Sequence, residues 1–167
     1  MKLYTIQEIK NLKNQSSHFA TLTAYDFISA QILDEAQIPL ILVGDSASMT
    51  IYGYNTTVPV TMAEMMLVVK AVTRGAKNSL VVADMPFLSY QSSIEDTIKN
   101  AGKLIKEGGA AAVKLEGGIN IIEHIKKLVG FGIPVLGHVG LTPQSYHQLS
   151  GYSIQGKTPK EAQKIID

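Results

Sequence analysis

Leu80–Phe87 reads LVVADMPF: four apolar residues, then an aspartate, with a proline two residues later. A run this short and uniformly apolar is what a parallel strand covered on both faces carries. The charge falls where such a strand would end. The same design recurs on either side. Pro39–Ser46 is PLILVGDS and Ala111–Gly117 is AAVKLEG, while Phe19–Asp26 (FATLTAYD) and Ile133–Gly140 (IPVLGHVG) complete five predicted strands.

Helical patterns fill the spaces between them, and several carry start signals. Thr61-Met62-Ala63-Glu64 forms a capping box, with Val60 and Met65 spaced as a hydrophobic staple. Ser92-Ser93-Ile94-Glu95 is a second box, and Thr5-Ile6-Gln7-Glu8 opens an N-terminal helix. Gly108-Gly109 and Gly130 punctuate two helix ends, and Asn120 is placed to cap the helix before Gly130. Strict strand–helix alternation predicts an α/β fold with right-handed crossovers. An open doubly wound sheet and a closed barrel both satisfy it. With no linker, repeat or low-complexity tract, residues 1–167 read as one domain. The longest irregular stretch, Ala47–Val60, is a candidate active-site loop.

Composition narrows the function classes. The chain has 167 residues and 46% apolar content, enough for one core. A net charge of +1 points to neither nucleic acid nor an anionic membrane. The absence of cysteine excludes a disulfide scaffold, a thiolate zinc site and an iron–sulfur cluster. No run approaches the roughly 20 apolar residues of a membrane span, and no signal-peptide stretch is present, so a cytoplasmic location is expected.

Every predicted strand carries an ionisable residue at or near its C-terminal edge: Asp26, Asp45, Asp84, Glu116 and His138. In parallel α/β folds that edge is where chemistry sits. One such aspartate alone would read as a turn former or helix cap, but five in five strands weaken that explanation. Asp26 is balanced between a cap for the first helix of the alternation and a supporting role at the site. Lys114 and Glu116 share a strand face. An inward Lys114 could reach an anionic substrate, the alternative being a structural Lys–Glu pair. Three converging carboxylates suit a hard divalent cation such as magnesium. Two of them could instead form an acid–base pair, and both readings stand. Tyr25 could reach the site, although a packed aromatic is the expectation; His18 and His147 are expected to be solvated, and His124 a surface residue beside Lys126 and Lys127.

Gly151-Tyr152-Ser153-Ile154-Gln155-Gly156-Lys157-Thr158 matches the phosphate-binding pattern G-x-x-x-x-G-K-T letter for letter. That loop needs a buried strand before it and a helix after it. The helix start is present at Thr158-Pro159-Lys160-Glu161. The segment before it, Tyr146–Ser150, is polar and turn-like, so nucleotide binding is not expected.

Several segments together resemble the ketopantoate hydroxymethyltransferase family. They are Thr21–Asp26 (TLTAYD), Val43–Ser46 (VGDS), Gly53 with Thr57–Thr61 (TVPVT), Ala83–Phe87 (ADMPF), Val113–Gly118 (VKLEGG) and Gly137–Ser145 (GHVGLTPQS). Each is weak alone, and six in order are specific. The resemblance implies a TIM-type (βα)8 barrel, of which this chain would supply about five βα units and the start of the next helix, the N-terminal two-thirds. It implies magnesium held by Asp45, Asp84 and Glu116. It implies an α-keto acid contacted by Asp45, Ser46, Asp84 and Lys114, with His138 lining the same site. The implied reaction is transfer of a hydroxymethyl group from 5,10-methylenetetrahydrofolate to 3-methyl-2-oxobutanoate, in a cytoplasmic homo-oligomer of the pantothenate pathway. The family's general-base glutamate would fall beyond Asp167, so the chain is expected to be a fragment with little activity alone. Two alternatives are an inactive half-barrel needing a partner and a magnesium-dependent lyase or mutase of the phosphoenolpyruvate mutase/isocitrate lyase type. The second typically carries a reactive cysteine, which this chain lacks.

Overall fold

The computed structural model describes residues 3–13 and 18–167. Five parallel strands, β1 (Thr21–Thr23), β2 (Leu40–Val43), β3 (Leu80–Asp84), β4 (Ala112–Glu116) and β5 (Val135–His138), pair in the order β1-β2-β3-β4-β5. Each lies inside one of the predicted runs. The helices are α1 (Ile6–Lys13), α2 (Phe27–Glu35), α3 (Ala47–Thr50), α4 (Met62–Gly75), α5 (Ile94–Lys106), α6 (Ile122–Gly130) and α7 (Pro159–Ile166).

Strand order and helix placement decide between the two architectures that alternation allowed. A doubly wound sheet reverses its order once and carries helices on both faces. Here the order never reverses. Side chains of one parity, Ile41, Val43, Val81, Ala83, Val113 and Leu115, pack with residues from α2, α4, α5 and α6, among them Ala30, Val69, Leu104 and Leu128. The opposite parity forms a second, smaller core. Leu40, Leu80, Val82 and Ala112 meet Tyr4, Ile6 and Ile9, so α1 closes the N-terminal end of the inner face. This is the strand–helix layering of a barrel wall. Full burial of such a side chain is worth about 1.5–3 kcal/mol, and burial on both faces is what lets strands this short persist. Along the edges the inner face is open: Leu136 of β5 is 40% exposed, and Thr21 and Thr23 of β1 are exposed.

Local signals hold in part. The Thr61–Glu64 box is formed in both directions, and Val60 and Met65 are both buried behind it. Thr5 and Glu8 exchange the same pair of bonds. The second box is displaced by one residue. Ser93, not Ser92, caps α5 by accepting the Asp96 N–H, and both serine hydroxyls donate to the Asp96 carboxylate. Burial of Thr97, Ala101 and Leu104 on one side of α5 fixes that phase. Asn120 caps nothing. It is exposed within a 3-10 turn, Gly118–Ile121, that runs into α6 with no side-chain cap at Ile121. Gly117 at φ +135° and Gly118 at φ +55° make the turn that buries Ile121 instead. The Ala47–Val60 stretch is not wholly irregular, because α3 forms its first turn. A stretch without helix or strand follows β5 at 146–158.

Candidate active site

The inner-face parity that buries Val82 and Ala112 continues to the C-terminal ends of β3 and β4, where it presents Asp84, Lys114 and Glu116. The Lys114 Nζ donates to both Asp84 oxygens at 2.7 Å and to Glu116 Oε1 at 3.1 Å. His138 stands opposite Glu116 in the β4–β5 register, with Nδ1 2.9 Å from Glu116 Oε1. Asp45, just past β2, donates its main-chain N–H to Asp84 Oδ2 at 3.2 Å. The structure therefore brings Asp45, Asp84, Lys114, Glu116 and His138 together. Asp45, Asp84, Lys114 and Glu116 are 3, 1, 7 and 4% exposed.

Buried charges persist only where they are paired, and the pairing here is unequal. Three carboxylates share one ammonium. Burial pulls the Lys114 ammonium down, but the charges of Asp84 and Glu116 outweigh it and hold the group charged. Burial pushes Glu116 up, while the His138 bond, Lys114 and the Gln144 N–H bring it below its ordinary value. Asp45 has no such set. Burial and the neighbouring Asp84 charge push it up to about 7, against the opposing pull of Gln144 and Lys114.

Two further residues build the site without having been singled out in the sequence. Gln144, on the 3-10 turn Pro143–Ser145, donates from Nε2 to Asp45 Oδ2 (2.9 Å) and to the Met85 carbonyl (2.8 Å), and from its main chain to Glu116 Oε2 (3.1 Å). Tyr90 is fully buried. Its hydroxyl accepts the Glu116 N–H at 3.0 Å and donates to Gln144 Oε1 at 2.7 Å. A neutral amide and a tyrosine in a loop carry no periodicity or charge that would have marked them.

The remaining candidates divide. Ser46 sits at the edge of the cluster, its hydroxyl 2.7 Å from that of Tyr25, so Tyr25 does more than pack. Asp26 is resolved as a helix cap, accepting the Ser29 N–H and hydroxyl at the start of α2. His18 and His147 are exposed, as expected. His124 is not a free surface group: it is half-buried, with Nδ1 2.8 Å from Thr97 Oγ1, linking α6 to α5. The G-x-x-x-x-G-K-T segment follows a turn instead of a strand, and its Thr158 serves as the cap of α7.

The donor chemistry bears on a divalent cation. Among the described residues, no three His, Asp or Glu side chains stand together as a ready-made cage. The nearest approach to one is an all-oxygen pair, Asp45 beside Asp84, the latter also bonded to Lys114, in a cluster with three carboxylates to one ammonium. That suits magnesium, which takes one or two carboxylates and leaves other positions to water and substrate oxygens.

A barrel wall with buried carboxylates and a lysine at the C-terminal strand ends defines the class: a (βα)-barrel protein, with its candidate site at the mouth where such barrels carry their chemistry. The family model for ketopantoate hydroxymethyltransferase matches residues 3–167, and the chain belongs to that family. It is 55% identical over 167 residues to 3-methyl-2-oxobutanoate hydroxymethyltransferase of Carboxydothermus hydrogenoformans, covering all of this chain and 60% of that protein. The corresponding enzyme of Clostridioides difficile (strain 630) is 53% identical over 163 residues, covering 98% of this chain and 59% of the relative. The chain thus spans about 60% of the length of these curated relatives. Among solved structures it is similar in fold to 2,3-dimethylmalate lyase of the PEP mutase/isocitrate lyase superfamily, with TM-score 0.61, 14% identity, and coverage of 90% of this chain and 55% of that one. Phosphoenolpyruvate phosphomutase from Streptomyces platensis subsp. rosaceus gives TM-score 0.55 at 18% identity, over 68% of this chain and 38% of that one. At such identities the likeness is one of fold. Among the described residues, no helix is long and apolar enough to cross a membrane.

Proposed function

We propose that this chain carries the cation- and keto-acid-binding part of an enzyme that transfers a hydroxymethyl group from 5,10-methylenetetrahydrofolate to 3-methyl-2-oxobutanoate, giving ketopantoate. The observation that carries this is the unequal charge of the cluster: among the described residues, a buried Asp45 with no cationic partner of its own lies beside an Asp84 already paired to Lys114. In this reading Asp45 and Asp84 hold magnesium, and Glu116 anchors Lys114 and His138 around it. A bound magnesium ion supplies Lewis-acid polarisation of the keto oxygen, which makes the C3 proton more acidic. Lys114 places a fixed positive charge where substrate oxygens gather negative charge, and burial makes it count for more than in water. Ser46, steadied by Tyr25, offers a hydroxyl to the keto acid. None of these residues is assigned the proton abstraction. The lyase and mutase alternative has only the fold in its favour.

Thermal melting tests the binding half of this reading. At a hundred times its dissociation constant a ligand adds about 2.7 kcal/mol. For a domain of this size that is a rise of roughly 5–10 °C. Magnesium together with 3-methyl-2-oxobutanoate is expected to give that rise, more than either alone, and Asp84→Asn to abolish it. A melt indifferent to both ligands overturns the reading.

A further inference from the structure

We propose that Gln144 is a positioning residue of this cation site: its side-chain amide and main-chain N–H together fix Asp45 and Glu116, so that one oxygen of Asp45 is pinned and the other left for the ion. The inference rests on the cation reading above and goes beyond it.

Asp45 and Glu116 arrive on β2 and β4, with β3 between them. Their side chains make no direct bond in the structure. Gln144 joins them from a third direction, the loop after β5. Among the described residues, its Nε2 is the one donor to the Asp45 carboxylate. Its main-chain N–H takes Glu116 Oε2. Pro143 at the start of the 3-10 turn sets the backbone angle that aims this N–H.

The orientation of the amide is chemically forced. The Met85 carbonyl can only accept, so the amide edge 2.8 Å from it must be the NH2. The second N–H of that group then points at Asp45 Oδ2. The opposite edge, Oε1, receives the Tyr90 hydroxyl at 2.7 Å and Gln91 Nε2 at 3.1 Å. Two donors and two acceptor positions are all used, in a residue 4% exposed. Turning the amide over would set NH2 against the Gln91 donor and oxygen against both Asp45 and the Met85 carbonyl. The amide therefore acts as a rigid fork. Rigidity matters for magnesium in particular, because it demands near-octahedral oxygens, whereas calcium tolerates an irregular shell.

The test titrates the full chain calorimetrically with Mg2+ alone and with Ca2+ alone. Gln144→Met keeps the length of the side chain and removes the amide. Losing a partner that orients a metal ligand typically costs about 10–100-fold in affinity. Mg2+ binding is expected to weaken at least about tenfold in this variant and Ca2+ binding clearly less, because of its looser shell, so the preference between the ions collapses. A residue that merely held the fold together would weaken both ions alike. Unchanged Mg2+ affinity, or equal losses for the two ions, overturns the proposal. Tyr90→Phe removes the hydroxyl that holds Oε1, and with it a bond to the Glu116 main chain, but keeps the Gln144 amide and its bonds to Asp45 and Glu116. It is expected to shift the preference in the same direction by less, and it decides the matter if Gln144→Met does not fold: an unaltered preference there overturns the proposal. A parent chain that binds no Mg2+ overturns the cation site and the role of Gln144 with it. A parent that binds, with variants that bind equally well, overturns the role of Gln144 alone.

Discussion

Asp34 and Asp45 lie on either side of β2, one near the N-terminal edge of the sheet and one at the C-terminal edge, and their carboxyls shift in opposite directions. They are 5 and 3% exposed. Asp34 accepts the N–H groups of Asn78 and Ser79 at 2.8 and 2.7 Å, the Asn78 side-chain amide at 2.7 Å and the Ser79 hydroxyl at 2.9 Å. Burial pushes its carboxyl up, yet the four donors together bring it below the ordinary aspartate value. Asp45 receives one side-chain amide, faces Asp84, and is pushed up to about 7. The difference lies in the supply of donors, in the Asp84 charge beside Asp45 and in how deeply each carboxyl is enclosed. At the N-terminal edge a carboxylate ties the end of α2 to the start of β3. At the C-terminal edge the protein gathers charge that it does not itself neutralise, as functional sites do.

The sharpest way to break this contrast is to remove the one ammonium. Lys114→Met leaves Asp84 and Glu116 buried without their cation. It is expected to cost about 3–5 kcal/mol in urea unfolding at neutral pH. A cost below about 1 kcal/mol would show that the cluster relaxes into water and stores no charge.

The two aspartates also predict opposite pH signatures in chelator-treated protein. Asp34 has a folded pKa below its unfolded value. Its contribution is present above the ordinary aspartate range and is lost as pH falls through the lower folded value. Asp45 has a raised folded pKa. Its contribution is present below the ordinary range and is lost as pH rises through about 7, on the order of a few kcal/mol for a shift of this size. Asp45→Asn should therefore flatten the decline toward neutral pH. Asp34→Asn should flatten the acid limb and cost about 1–3 kcal/mol at neutral pH by setting an amide against the Asn78 side chain, without moving Mg2+ affinity. Identical pH–stability curves for the two variants would erase the distinction between the two ends.

The smallest effects concern helix starts. Ser93→Ala should cost about 1 kcal/mol, because a cap is lost. Asn120→Ala should stay within about 0.5 kcal/mol, because no cap is there. Equal losses in thermal unfolding would mean that the start of α6 depends on Asn120 after all.

Much of the candidate site could be read in one dimension, because charge at the end of an apolar run is a strong anomaly. Asp45, Asp84, Glu116 and His138 all announced themselves in that way, and strand parity placed Lys114 beside Glu116. Gln144 and Tyr90 did not. Uncharged polar groups in loops look alike in sequence whether they are solvated or buried with every hydrogen bond made. The second capping box slipped by a residue for a related reason. Two adjacent serines offer equal local chemistry, and only the burial of one face of α5 chooses between them.

By itself, then, the chain determined its alternation, its strand runs and the row of ionisable groups at their ends, because periodicity and desolvation cost are local properties. Tertiary structure alone decided that the sheet keeps sequential order with α1 beneath it. It alone decided that Asp26 is a cap while Asp45 joins the buried cluster. Both aspartates follow an apolar run, and what separates them is which donors the fold brings to each: the first turn of α2 to one, and a single amide from the far side of the sheet to the other.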